Sequence, residues 1–369
     1  MTAPGTTAGA TADVEADVVA LGESMVTFLP TRPGRLADVP SFERGIGGAE
    51  SNVACGLARA GHRARWVSRV GTDGFGTHLV EEIASYGVDT SAVRRDPHRP
   101  TGVYFRTAGE RPTEPAGSEP ATPGPGGPPP LAEVVYYRAG SAASAMSPDT
   151  VDLAAVLSGR VLHLSGITAA LSADCLALLR ALTAPRPGRP LVSFDVNYRV
   201  SLWRDPAAAG EILLGLARAS DLVFVGEDEA RAAWGITGGP AAIRAALPEP
   251  RLLVVKQGAH GATAFDAAAT VTSVPALRVD VVVPVGAGDA FAAGFLSATL
   301  RGLPVRDRLR HGHLMAAAAL TVPGDLGTPP ARDHADRLAA LDDTAWGTLR
   351  LGPGWTEAAR SADEEVRTP

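Results

Sequence analysis

The fourteen residues VVVPVGAGDAFAAG, at 281–294, decide how the rest of the chain is read. An apolar run meets a turn in which Gly286 and Gly288 can take backbone conformations closed to other residues, and the Ala/Phe/Leu pattern beyond predicts a helix from about Ala287. A helix start leaves N–H groups unpaired at the positive end of its dipole. Gly286, Ala287 and Gly288 therefore form an anion site, with Asp289 in the first turn. Two readings of Asp289 are open at this point: a carboxylate that only favours the dipole, or a reactive group beside a bound anion.

Outward from this stretch, apolar runs alternate with helical periodicity, which predicts an α/β fold with a mostly parallel sheet and helices on both faces. Strand-like runs lie at 18–23, 64–71, 161–166, 191–197, 222–227 and 252–258, and helices are expected at 50–60, 75–86, 172–183, 227–234 and 287–301. Two pieces break the alternation. TGVYFRT (101–107) and EVVYYRA (133–139) read as paired short strands of a small lid, and the insert between them, 108–131, is so rich in Pro and Gly that it reads as a mobile hairpin tip. Residues 1–15 are expected to be a disordered N-terminus and 341–369 a C-terminal tail, poorly ordered after about Gly352, leaving 16–340 as one domain.

Three further motifs carry chemistry. In VVKQGAHGATAF (254–265) a strand runs into Gly258 and Gly261 and then a second strand, a turn that lets a nucleotide or phosphate approach the backbone but that is common in any sheet. In VFVGEDEARAAWG (223–235) acidic residues cluster at a strand's carboxyl end. That is where open α/β sheets hold ligands and Mg²⁺, and equally where a helix dipole welcomes carboxylates. GIGGAESNVACGLARAG (45–61) is no dinucleotide fingerprint, because the sixth position from Gly45 is Glu50. Its polar cluster of Glu50, Ser51 and Asn52 suits either helix capping or hydrogen bonds to a polyhydroxy ligand.

Composition narrows the partners. The 369 residues are 45% hydrophobic and 20% charged, with a formal net charge of -6, so nothing favours nucleic acid or an anionic membrane. Cys55 and Cys175 lie far apart without metal-ligand spacing and read as buried small hydrophobes. With no leader pattern and no apolar run of about 18 residues, the expectation is a soluble cytoplasmic protein. Lys256 is the only lysine among 34 basic residues and is followed by Gln257 and Gly258, so a protein of this sequence that handles phosphate does so without a Walker-type loop.

Taken in order, GGAESNVACGLARAG and PVGAGDAFAAGF resemble the two signatures of the ribokinase-like carbohydrate kinases. TGVYFR, VYYRAGSAASAMSP, LHLSGITAAL and FDVNYRVSLW are similar to the 2-keto-3-deoxygluconate kinases within that family, and the resemblance spans roughly 18–327. It implies a Rossmann-like three-layer αβα sandwich with a small β-sheet lid built from about 24–45, 101–107 and 133–139. It also implies an ATP- and Mg²⁺-dependent kinase acting on the 6-hydroxyl of 2-keto-3-deoxygluconate, and a homodimer through the lid. Asp289 matches the family's catalytic base. Sugar-acid contacts fall to Gly48, Ala49, Glu50, Ser51 and Asn52, to the lid residues Tyr104, Tyr136 and Arg138, and to Arg199; guanidinium groups suit a carboxylate because they offer bidentate, charge-assisted hydrogen bonds. ATP contacts fall to Asn197, Lys256, Gly258, Gly261, Gly286 and Gly288. Glu229 matches the glutamate of an N-x-x-E motif that assists Mg²⁺ through water, although the motif's asparagine position is Gly226 here.

Val283 is the other departure. Many family members carry an aspartate there that helps build a monovalent-cation site, and a valine cannot ligate a cation, so weak or absent K⁺ activation is expected. Other specificities remain open: fructokinase or another ribokinase-like kinase, a related keto-sugar acid such as the galacto epimer, and a non-catalytic sugar-acid sensor. The intact Asp289 and its glycine turn argue against the sensor.

Overall fold

The computed structural model describes residues 15–32, 34–107, 133–203 and 205–357. The insert at 108–131 and nearly all of 1–15 lie outside the described residues. In chain order come β1 (Ala16–Leu21), β2 (Met25–Pro30), β3 (Phe42–Gly47), α1 (Ala49–Arg59), β4 (Ala64–Val67), β5 (Arg69–Gly71), α2 (Gly74–Ser85) and β6 (Arg94–Asp96). Then follow β7 (Val103–Arg106), β8 (Val134–Tyr137), α3 (Leu153–Leu157), β9 (Gly159–Ser165), α4 (Gly166–Leu171), α5 (Ala173–Thr183), β10 (Leu191–Asp195) and α6 (Pro206–Arg218). The second half holds β11 (Leu222–Gly226), α7 (Glu227–Trp234), α8 (Gly239–Ala246), β12 (Leu252–Lys256), β13 (Ala262–Asp266), β14 (Val271–Val274) and β15 (Arg278–Val279). It closes with α9 (Ala287–Leu300), α10 (Val305–Leu320), α11 (Arg332–Ala339), α12 (Asp343–Thr348) and β16 (Arg350–Leu351).

Eight strands form one sheet in the order β14-β13-β12-β11-β10-β9-β1-β4, parallel from β4 to β12 and antiparallel at β13 and β14. Successive side chains of a strand point to opposite faces, so a strand covered on both sides must be apolar throughout. The two cores divide that way. Val18, Ala20, Leu222, Phe224 and Val254 belong to one, while Val19, Leu21, Val223, Val225, Leu253 and Val255 belong to the other. This is the three-layer sandwich expected from the alternation. α9 lies on the first face through Phe295, whose ring meets Phe224 edge to face at 5.4 Å, and through Phe291 at 6.4 Å. Each such ring contributes about 1.5–3 kcal/mol through burial, which anchors the helix whose first turn carries Asp289.

A second sheet, β3-β2-β7-β8, stands over the carboxyl edge of the first. Its β7 and β8 pair antiparallel with Tyr104 opposite Tyr136. The stretch set apart as a tail from 341 is integral to the domain as far as described. Trp346 of α12 is fully buried, donates its indole N–H to Pro275 O at 3.0 Å and lies under the Arg310 guanidinium, while β16 pairs with β15. Two short elements with little periodicity gave the sequence no signal for this. Cys55 and Cys175 are free and buried, as their apolar surroundings suggested, and burial pushes their thiols up to about 12 and about 11. Among the described residues no helix is long and apolar enough to cross a membrane.

Candidate active site

The site follows from where strands end. β9, β10, β11 and β12 stop at Ser165, Asp195, Gly226 and Lys256, and the segments after them line a crevice at the carboxyl edge of the sheet, the usual ligand position in open α/β sheets. α9 enters this crevice by its N-terminus. Gly286 precedes it in a left-handed conformation with φ of 75°, and a Cβ there would lie 2.2 Å from Asp325 O, so no other residue fits the turn.

Two cavities meet at Asp289. The first, of about 60 Å³, is walled by Gly48, Ala49 and Asn52 from the start of α1, by Tyr104, Tyr136 and Arg138 from the lid, and by Arg199. The second, of about 280 Å³, is walled by Gly286, Ala287, Gly288, Lys256, Gly258 and Glu229. Asn197, Arg199 and Asp289 belong to both. Asn52 Nδ2 donates to Asp289 Oδ2 at 2.9 Å. A third cavity of about 930 Å³ continues from Lys256, Gly258, Ala287 and Gly288 past Gly261 to the apolar walls of Pro275, Leu277 and Leu320. Gly261, with φ of 126°, leaves no room for a side chain, because its Cβ would lie 2.2 Å from Val274 O.

Electrostatics sharpen the picture. Lys256 Nζ sits 2.9 Å from Asp195 Oδ2; burial pulls its pKa down, and the Asp195 and Glu229 carboxylates more than offset this, leaving it raised. The ammonium therefore stays charged within reach of the glycine turn, where a Cβ on Gly288 would lie 3.7 Å from it. Burial raises Glu229 above the ordinary carboxylate range, although Lys256 and Arg199 pull the other way. Its Oε2 accepts the Gly226 N–H at 2.6 Å and its Oε1 lies 3.7 Å from Arg199. Glu229 thus closes the first turn of α7 as well as facing the second cavity.

Two expected ligands of the sugar are placed elsewhere. Glu50 is fully buried, its Oε1 accepting from Ser165 Oγ at 2.8 Å and Thr168 Oγ1 at 2.7 Å, and it packs so closely that a Cβ on Gly22 would lie 2.1 Å from its Cδ. Burial lifts its carboxyl to about 7. Ser51 donates to Ser24 Oγ and Gly48 O, each at 3.0 Å. Neither lines the first or the second cavity, because successive residues on α1 point 100° apart and only Asn52 of the three donates to Asp289. Arg138 does line the first cavity, but its guanidinium is ion-paired with buried Glu23, which also accepts from Ser141 Oγ at 2.6 Å.

Four charged residues escaped the sequence reading. Glu23 and Asp195 sit beside the residues singled out, in GES and FDVN, where a carboxylate at a strand's carboxyl end was the available signal. Arg106 and Asp325 pair at 2.8 Å with side chains 5% exposed, and Tyr104 donates to the same carboxylate at 3.2 Å. Their partnership across the chain left no trace in either local pattern. It ties the lid to the loop packed under Gly286.

The sequence profile of the pfkB family carbohydrate kinases matches residues 15–116 and 132–332. The chain belongs to the pfkB family of carbohydrate kinases. Among curated relatives of this pfkB kinase, the 2-dehydro-3-deoxygluconokinase of Bacillus subtilis is 35% identical over 86% of this chain and 93% of its own. The 2-dehydro-3-deoxygalactonokinase of Haloferax volcanii is 31% identical over 84% of this chain and 93% of its own. Among solved structures, a PfkB protein from Polaromonas sp. JS666 superposes with a TM-score of 0.72 at 35% identity, covering 87% of this chain and 99% of that one. The fold is thus that of the ribokinase-like resemblance, and the chain is a sugar kinase.

Proposed function

We propose that this pfkB kinase transfers the γ-phosphoryl group of ATP to the 6-hydroxyl of 2-keto-3-deoxygluconate, giving 2-keto-3-deoxy-6-phosphogluconate. The observation that carries the reading is the position of Asp289, the one carboxylate shared by the polar cavity under the lid and the N–H-rich cavity at the start of α9. Its carboxylate takes the hydroxyl proton as the oxygen attacks phosphorus and the bond to the bridging oxygen breaks. The N–H groups of 286–288 and the Lys256 ammonium stabilise the charge that grows on the transferred oxygens.

The residues present fit a nucleotide with its metal. Asn197 Oδ1 is buried without a hydrogen-bond partner, and Asp228 and Glu229 stand on the same wall. No group of three or more metal-ligating side chains exists among the described residues, which matches Mg²⁺ held chiefly by phosphates rather than by a protein cage. When bound, Mg²⁺ and ATP supply the phosphoryl group and neutralise part of its charge. Val283, whose side chain has no oxygen, and the pairing of Asp280 Oδ1 with Arg350 support a weakened monovalent-cation site.

For the acid itself, Arg199 is the principal carboxylate ligand, because Arg138 is held by buried Glu23 with its side chain 10% exposed, whereas Arg199 is 33% exposed and its pairing with Glu229 is loose at 3.7 Å. The first cavity, of about 60 Å³, opens into the second at Asn197, Arg199 and Asp289, which supports an acid lying under the lid with its hydroxyl end at Asp289. The exposed Val135, Tyr136 and Tyr137 on β8 support a homodimer through the lid. A coupled assay over sugars and sugar acids tests the substrate: the highest kcat/KM is expected for 2-keto-3-deoxygluconate, and a higher value for fructose contradicts the reading. The galacto epimer is the second reading, favoured by the Haloferax volcanii relative, and the same assay separates the two.

A further inference from the structure

α9 spans 14 residues, about 21 Å at 1.5 Å per residue, so its C-terminal half lies well away from Asp289. There it walls a separate cavity of about 270 Å³, together with the end of α1, the middle of α10 and the segment that leads into α11. The volume exceeds the ~150 Å³ that suffices for a benzene-sized guest. Leu314, Met315, Pro329 and Pro330 make one side apolar.

The other side is cationic. Arg59, Arg301, Arg332 and His311 line it and, among the described residues, no carboxylate does; Asp336 beside it is engaged by Arg301 at 2.7 Å and by His311 at 3.2 Å. Arg59 and Arg332 have no carboxylate within salt-bridge distance among the described residues. Arg59 lies over the Tyr86 ring at 4.2 Å, and Arg332 donates to Ala60 O at 3.0 Å. Both hold their guanidinium groups at the rim, leaving further N–H groups of each available. The surplus is felt by His62 close by, which bonds Ser297 Oγ at 2.8 Å: burial lowers its pKa, and Arg332 and Arg301 lower it further against a weaker pull from Asp17. Like charges gathered around a half-apolar hollow repel one another, and an anion placed among them relieves that repulsion.

From the cavity between α1, α9 and α10 and its two guanidinium groups without a carboxylate, we infer that this face binds a small phosphomonoester, its phosphate between Arg59 and Arg332 and its organic body against Leu314 and Met315. Guanidinium forks match phosphate oxygens bidentately, and free phosphate shares that chemistry without using the apolar wall.

Calorimetry on the full chain with glycerol 3-phosphate, and separately with inorganic phosphate, tests it, comparing the parent with Arg59→Gln/Arg332→Gln. Any phosphate bound in the active site is common to both proteins and cancels in the comparison. The double variant is expected to lose affinity for the ester by about tenfold or more. Its kinase activity should stay at the parent level, which also shows that it folds. Arg332→Gln alone, which keeps an amide to donate to Ala60 O, is expected to lose about threefold. Tighter binding of the ester than of phosphate supports the apolar wall, and the reverse order overturns it. Equal ester affinity in parent and double variant, or no binding to the parent, overturns the site.

Discussion

Asn52 Nδ2 donates to Asp289 Oδ2 at 2.9 Å, joining the first turn of α1 to the first turn of α9 across 237 residues of sequence. Asn52 Oδ1 has no partner and the residue is buried, so the amide is held by packing and by this one bond. The contact fixes which face Asp289 presents to the first cavity. Asn52→Ala is expected to lower kcat about ten- to a hundredfold with KM for the sugar acid changed much less, because orientation of the base is lost rather than substrate binding. Steady-state kinetics decide it, and an unchanged kcat removes Asn52 from the account.

Arg138 and Glu23 form a buried pair, with side chains 10% and 1% exposed. Removing one partner strands the other, at a cost of about 3–5 kcal/mol. Arg138→Ala is therefore expected to destabilise the fold by about that much, and Glu23→Gln added to it to recover a substantial part. Denaturant midpoints of the three proteins check this. Equal stability of the single and double variants means that the two side chains are not coupled.

Glu50 gives a stability signature with a definite sign. Burial, set against hydrogen bonds from Thr168 and Ser165, raises its carboxyl from 4.5 to about 7, and nearby Asp289 adds to the rise. The native state keeps a proton that the unfolded chain releases between those values, so stability falls as pH rises through about 4.5 to 7, and the penalty is complete above that window. It amounts to about 3 kcal/mol. Glu50→Gln should flatten this part of the profile and gain on the parent most at pH 8, as read by urea midpoints. Parallel profiles in the two proteins contradict the burial argument.

The Val283 side chain offers no oxygen to a cation, and Asp280 is engaged by Arg350. Turnover in K⁺ and in tetramethylammonium at equal ionic strength is expected to agree within about twofold. Strong K⁺ activation requires a set of ligands other than these side chains.

Much of the fold was legible because periodicity reports burial. Runs such as LVFVG (222–226) and LLVVK (252–256) are apolar on both faces, and only a strand covered on two sides requires that. The glycine turn was legible because Gly286 and Gly261 take positive φ, a conformation that favours glycine, while the clashes that also exclude a side chain there, with Asp325 O and Val274 O, come from the fold. Direction was harder to read. Glu50, Ser51 and Asn52 form one polar cluster in the sequence, and the rotation of a helix sends only the last toward Asp289. Partnerships at long range, Arg138 with Glu23 and Arg106 with Asp325, depend on how the lid lands on the sheet and leave no local pattern. The short elements after 341 are held by Trp346, a single buried ring that no repeat announces.

The most direct test of the central claim is the turnover of Asp289→Asn with 2-keto-3-deoxygluconate and ATP, measured beside its affinity for the acid by calorimetry. The account predicts kcat lower by about 10²–10⁴, with the dissociation constant of the acid within a few fold of the parent. A kcat within tenfold of the parent contradicts the assignment of Asp289 as the base.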